Sequence, residues 1–155
     1  MEKTNVMRFL DAHKIEYRAR EYDPALTDGQ SVARTLGLEA DRVFKTLVTT
    51  DGKRNYFVFV IPVNCTLHLK KAAAAVGAKS VEMIKQRDLL PLTGYIHGGC
   101  SPVGMKKLFP TVVNDTAQLF DAIVFSAGKV GFQVELPPDA LLSLVNGKYA
   151  DVVAE

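Results

Sequence analysis

Apolar residues recur along this chain in two periods, and the switches between them mark out its elements. Behind Thr4, whose hydroxyl suits a helix cap, Val6, Phe9 and Leu10 fall on one face at helical spacing. Around Tyr17, Ala19 and Glu21 the pattern becomes the alternation of a strand, which Asp23-Pro24 ends. Val32, Ala33 and Leu36 predict a short helix closing at Gly37, where the missing side chain permits a left-handed terminus. Two β-rich runs follow, Val43 to Thr50 and Asn55 to Ile61, joined by Asp51-Gly52-Lys53-Arg54, a turn sequence that predicts a hairpin. The second run is apolar on both faces and so belongs at the centre of a sheet.

Lys70 to Val76 is rich in helix formers and stops at Gly77. Lys79 to Met83 and Thr93 to His97 read as strands, the latter leading into a loop from Gly98 to Gly104. Ala122 to Ser126 and Phe132 to Leu136 read as a further pair of strands. A last helix is expected from Pro137-Pro138-Asp139, with Asp139 as its cap, to Asn146-Gly147. Strands grouped in hairpins with helices between them predict an α+β domain on a mixed sheet, a single unit spanning residues 1–155.

Composition narrows the function classes. The 155 residues are 48% hydrophobic, enough for a core that needs neither disulfide nor metal. The longest apolar run, Tyr56 to Ile61, stops at Pro62, far short of the ~20 residues of a membrane span. Met1 to Leu10 carries Glu2, Lys3 and Arg8 and does not read as a secretory signal, so a cytoplasmic location is expected. With 19 basic against 17 acidic residues, the net charge of +2 argues against broad capture of nucleic acid but permits local contacts to a few phosphates.

Candidate chemistry concentrates in two places. The Gly98 to Gly104 loop holds three glycines and Pro102 in seven residues. It is either a wide turn or a stiff cradle whose backbone N–H groups hold an oxyanion or phosphate. Cys100 and Ser101 lie in it as potential nucleophiles, but no base stands at a spacing that guarantees contact, His97 included. Lys45 is the second place. It shares a strand face with Val43 and Leu47, so its charge is either at an exposed edge or in a pocket that expects an anion. Cys65, His68, His97 and Cys100 offer metal-ligand types at short spacings, yet a helix and a strand separate the pairs, so no metal and no organic cofactor is expected.

Val43-Phe44-Lys45-Thr46-Leu47, Leu69-Lys70-Lys71-Ala72 with Gly77-Ala78-Lys79, Gly94-Tyr95 with the glycine loop, and Ser126-Ala127-Gly128-Lys129 together resemble the YbaK/EbsC family. These proteins are freestanding relatives of the editing domain of bacterial prolyl-tRNA synthetases. The resemblance runs from Tyr22 to Glu135 and implies a barrel-like mixed sheet with flanking helices. It implies removal of cysteine from Cys-tRNA(Pro), and often from Cys-tRNA(Cys), with the tRNA acceptor end as partner and prolyl-tRNA synthetase as a second partner. By the same resemblance Lys45, Gly98, Gly99 and Ser101 are the catalytic candidates. Tyr22, Phe44, Thr46, Pro102, Gly104, Ser126, Gly128 and Gln133 are the substrate-binding ones. The mechanism implied is substrate-assisted: the cysteine thiol attacks its own ester, which accounts for the missing triad. Arg20, His68 and Gln133 stand where relatives tend to carry tyrosine, an acidic residue and aspartate. Deacylation of Ala-tRNA(Pro), a non-catalytic tRNA- or synthetase-binding module, and a zinc hydrolase are the alternatives.

Overall fold

The computed structural model describes residues 2–155. Local chemistry sets most elements where the sequence pattern puts them. In α1 (Asn5–Ala12) the Thr4 hydroxyl accepts from the Met7 amide at 3.2 Å, and Val6, Met7 and Leu10 are buried. β1 (Arg18–Glu21) follows, then α2 (Gly29–Thr35), capped by Asp28, whose carboxylate takes the Ser31 amide at 2.8 Å. The hairpin forms as expected from β2 (Phe44–Thr50) and β3 (Tyr56–Pro62), in a register pairing Lys45 with Ile61 and Thr50 with Tyr56. Its turn is organised by Asp51, whose carboxylate accepts the amides of Lys53 and Asn55. α3 (Leu69–Val76) begins at His68, whose Nδ1 accepts from the Lys71 amide at 3.2 Å, and ends at left-handed Gly77.

The next stretch departs from expectation. β4 is only Glu82–Met83, and Gln86–Thr93 forms a helix, α4, so Thr93 to His97 is not a strand. Gly94, at φ 86°, ends α4, and the Thr93 hydroxyl donates back to the Leu89 carbonyl at 2.7 Å. Pro91 lies inside this helix on its exposed side. β5 (Thr111–Asn114) and β8 (Lys148–Ala150), neither of them expected, bracket the pair β6 (Ile123–Ser126) and β7 (Phe132–Leu136) and the last helix, α5 (Pro138–Val145). Asp139 is not the cap of α5. It lies in the first turn and accepts from the Tyr149 hydroxyl at 2.7 Å.

Two sheets result. One is β1-β7-β6, all antiparallel; the other is β4-β2-β3-β5-β8, in which β5 runs parallel to both β3 and β8. The α+β class and the mixed sheet are as the sequence implies, and β3 is central. Val58 and Val60 enter the largest apolar cluster, with Phe44, Phe125 and Leu136, while Phe59 and Ile61 enter a second against Ala72 and Ala73 of α3. The barrel does not close. Opposite β3, the other edge of β2 pairs with β4 only at Thr49 and Thr50, and the sole bridge toward β6 among the described residues lies just before β2, from Val43 to Val124. Residues 44–47 therefore have a ladder on one edge alone, and the sheets part there. Beside this seam Glu135 of β7 joins them: it accepts from Arg20 of β1 at 2.6 and 2.9 Å and from Arg42, which precedes β2. Arg42 also donates to the Ala122 carbonyl at 3.0 Å.

Candidate active site

The open seam is a cleft of about 280 Å³. The unladdered residues Phe44, Lys45, Thr46 and Leu47 form one wall, and Tyr22 with the segment from Leu26 into α2 forms another. Leu89 of α4, His97, Gly98, Cys100, Ser126 and Gln133 complete it. Gly29 permits the close seating of α2, since a Cβ there would lie 2.4 Å from Val63.

Its polar groups are unevenly satisfied. Lys45 is half-buried and makes no ion pair among the described residues. Burial holds its ammonium below the ordinary lysine value, opposed only by the weaker pull of Cys65. Asp28, the acidic residue in the lining, does not offset that charge, because both its oxygens are engaged by Ser31 at 2.8 Å. Those bonds, the backbone one foremost, hold its carboxyl below the usual range. Thr46 Oγ1 and Gln133 Oε1 are buried without any hydrogen-bond partner among the described residues, and both belong to the cleft. Gln133 is only 7% exposed. Buried polar atoms in native proteins are almost always answered, so two orphans beside an unpaired cation mark a place built for a polar guest.

The glycine loop behaves as two parts. Gly98, at φ 88°, and Cys100 face the cleft. The Gly99 amide donates to the Ile96 carbonyl at 3.0 Å and closes a tight turn, so it is not free to hold an oxyanion. A Cβ on Gly99 would sit 3.1 Å from the Val130 amide nitrogen, which fixes the loop against the β6–β7 turn. Ser101 is fully buried, its Oγ accepting from the Val103 amide at 3.3 Å, and with Pro102, Gly104 and Gly128 it lies behind the cleft rather than in it. Gly104 and Gly128 both pack on Tyr95, whose hydroxyl donates to the Val103 carbonyl and ties the loop down.

Of the expected site residues, then, Tyr22, Phe44, Lys45, Thr46, Gly98, Ser126 and Gln133 meet in one cavity. Ser126 accepts from the Gly128 amide at 3.1 Å and keeps its hydroxyl hydrogen for a guest. Sequence reasoning missed the wall from Leu26 to Val32 and Leu89. The Asp28-Gly29 pair was the available signal for the first, and nothing marked the second.

No protein nucleophile is primed. Burial pushes the Cys100 thiol up to about 12, and it makes no hydrogen bond with His97 among the described residues. Among the described residues no three His, Cys, Asp or Glu side chains converge as a metal site, and His68 is occupied as the cap of α3. No helix of the described residues is long and apolar enough to cross a membrane.

Fold and cleft together define a class: an α+β protein with a small, partly desolvated cationic pocket at the seam of two sheets, furnished for binding and positioning rather than for a nucleophile–base relay. The aminoacyl-tRNA editing domain model matches residues 23–144, and the chain belongs to that family. It is 50% identical over 158 residues to EbsC of Enterococcus faecalis, provisionally named a Cys-tRNA(Pro)/Cys-tRNA(Cys) deacylase, a match covering 99% of this chain and 95% of that protein. It is 28% identical to the proline–tRNA ligase of Thermosipho melanesiensis over 69% of this chain but only 19% of the ligase. A crystal structure provisionally described as a trans-editing enzyme for prolyl-tRNA synthetase shares the fold, with a TM-score of 0.85, 21% identity and complete coverage of both chains.

Proposed function

We propose that this protein is an aminoacyl-tRNA deacylase that acts in trans in the cytoplasm, releasing cysteine from Cys-tRNA(Pro) that prolyl-tRNA synthetase has mischarged, and from Cys-tRNA(Cys) as a second substrate. One observation carries the reading: an unpaired, half-buried Lys45 shares a small cleft with the unanswered Thr46 Oγ1 and Gln133 Oε1. The EbsC and ligase likenesses support the choice of substrate. At about 280 Å³ the cleft falls below the usual ~300–1,000 Å³ of ligand sites, which suits a small aminoacyl group with its nucleoside at the mouth.

In this reading Lys45 meets the terminal phosphate, whose charge restores what desolvation takes from the ammonium. Gln133 Oε1 accepts from the substrate amino group, and Thr46 and Ser126 hold the ester. The amides of Gly98 and Cys100 have no protein acceptor among the described residues, and they are the donors for the developing oxyanion in place of Gly99. The substrate thiol supplies the nucleophile. Its sulfur bonds to the ester carbon, the carbon–oxygen bond breaks, and the thiol proton leaves with the ribose hydroxyl; water then opens the cyclic thioester to free cysteine. The protein contributes orientation and electrostatics.

Incubation of the purified protein with Cys-tRNA(Pro) and Ala-tRNA(Pro) tests this directly. Cysteine is released and alanine, lacking the thiol, is not. Binding of Cys-tRNA(Pro) without release replaces the enzyme by a binding module. Cys100→Ala stays within about threefold of wild type, because a thiol near 12 is almost wholly protonated at neutral pH. Complete loss in that variant would place the nucleophile on the protein.

A further inference from the structure

A second and larger cleft, of about 690 Å³, lies at the far end of the β2–β3 hairpin from Lys45. Arg54 and Tyr56 border it from the hairpin, Pro91 from α4, and Lys106, Lys107 and Leu108 from the segment before β5. The three cations are exposed, and none forms an ion pair among the described residues. Lys106 reaches only the Pro91 carbonyl, at 3.5 Å. Asp51, the acidic residue in this lining, is occupied: it accepts the Lys53 and Asn55 amides and the Asn55 side chain, holding the turn that places Arg54 at φ 66°. Three positive charges without an ion-pair partner thus line one groove, whose single carboxylate is taken up by its own turn, and such a groove attracts a polyanion.

Apolar surface lies among these charges. Leu108 is 58% exposed, and Tyr56 is half-buried with its ring edge-on to Phe109. Alternating cations and flat or apolar side chains suit a single nucleic-acid strand, whose phosphates and bases need both. One helix, α4, borders both this groove and the editing cleft. Leu89 of α4 lines the small cleft while Pro91 and Leu92 line the large one. Along β2, Lys45 and Thr50 are five residues apart, about 17 Å at the rise of a strand, a span covered by a few nucleotides.

We propose that this groove receives the RNA strand leading into the editing cleft, its phosphates meeting Arg54, Lys106 and Lys107 while the aminoacylated end lies at Lys45. The inference rests on the deacylase reading above and adds where the rest of the RNA runs.

The test compares wild type with the triple variant Arg54→Gln, Lys106→Gln, Lys107→Gln, checked for an unchanged melting temperature. Binding of uncharged tRNA(Pro) should weaken roughly tenfold or more at moderate salt. The slope of log affinity against log salt should fall by about 2, since each single-strand phosphate contact contributes ~0.7. KM for Cys-tRNA(Pro) should rise with kcat unchanged, and hydrolysis of cysteinyl-adenosine, which is too short to reach the groove, should not change. Unchanged tRNA affinity and slope would overturn the proposal. So would equal losses on tRNA and on the adenosine ester, or a loss confined to a response to added prolyl-tRNA synthetase, which would make the groove a protein-docking surface. If wild type releases no cysteine from either substrate, the deacylase reading fails, and the affinity and salt slope for tRNA(Pro) still decide the groove.

Discussion

Lys45 shows how one residue can be costly to the fold and necessary to the site. Its ammonium is desolvated and unpaired, so its pKa in the folded chain lies below the 10.5 of the open one. Between those two values the unfolded chain binds more protons, and stability rises with pH through that window; below it the full penalty is present. Lys45→Met should therefore raise the melting temperature at pH 7, by a margin that shrinks as the pH approaches 10.5. The same change, or Lys45→Ala, should lower kcat/KM for Cys-tRNA(Pro) by roughly 100-fold, the scale of losing one electrostatic contact to the reacting end. Calorimetry at two pH values and a deacylation assay check both halves. At this scale much was legible: Lys45 stood out as a charge on an apolar strand face, and Thr46, Ser126 and Gln133 came with the resemblance. Ser101 and Gly99 did not behave as expected. Composition marks a glycine-rich loop without saying which amides face the guest and which close the turn.

Among the elements, that loop is held from behind. Gly128, at φ 86°, packs so closely that a Cβ would lie 2.8 Å from Val6 and 2.9 Å from the Tyr95 ring. Gly128→Ala should cost about 2–3 kcal/mol in urea unfolding, through backbone strain and overpacking against α1. Activity per folded molecule should fall as well, because Tyr95 anchors the loop. The hairpin and the capped helices were readable because their signals are local: Thr4, the Asp51 turn and Gly77 each act within a few residues. α4 was not, since Pro91 reads as a breaker and only its exposed position lets the short helix tolerate it. β5 and β8 escaped for a different reason. They are short, and their parallel pairing with distant strands leaves no turn signal between neighbours.

For the molecule as a whole, the two sheets are joined beside the cleft by Glu135, whose carboxylate serves Arg20 and Arg42 together and is 10% exposed. Glu135→Gln leaves two partly buried guanidiniums short of a counter-charge and should destabilise the fold by about 2 kcal/mol. Because the clamp adjoins the seam, KM should rise more than that loss of folded protein accounts for. Denaturation and steady-state kinetics on the same sample separate the two effects. Sequence periodicity foretold a mixed sheet but not its failure to close, which depends on how far β4 extends along β2, a length no local pattern encodes.

That shortfall carries a consequence. An aperture framed by main chain rather than by side chains has its width decided by how many rungs the neighbouring strand contributes. Point changes at Thr46 or Leu47 can re-line the opening, but lengthening β4 by two or three paired residues would zip it shut. The result would be a firmer molecule with nowhere to put an ester.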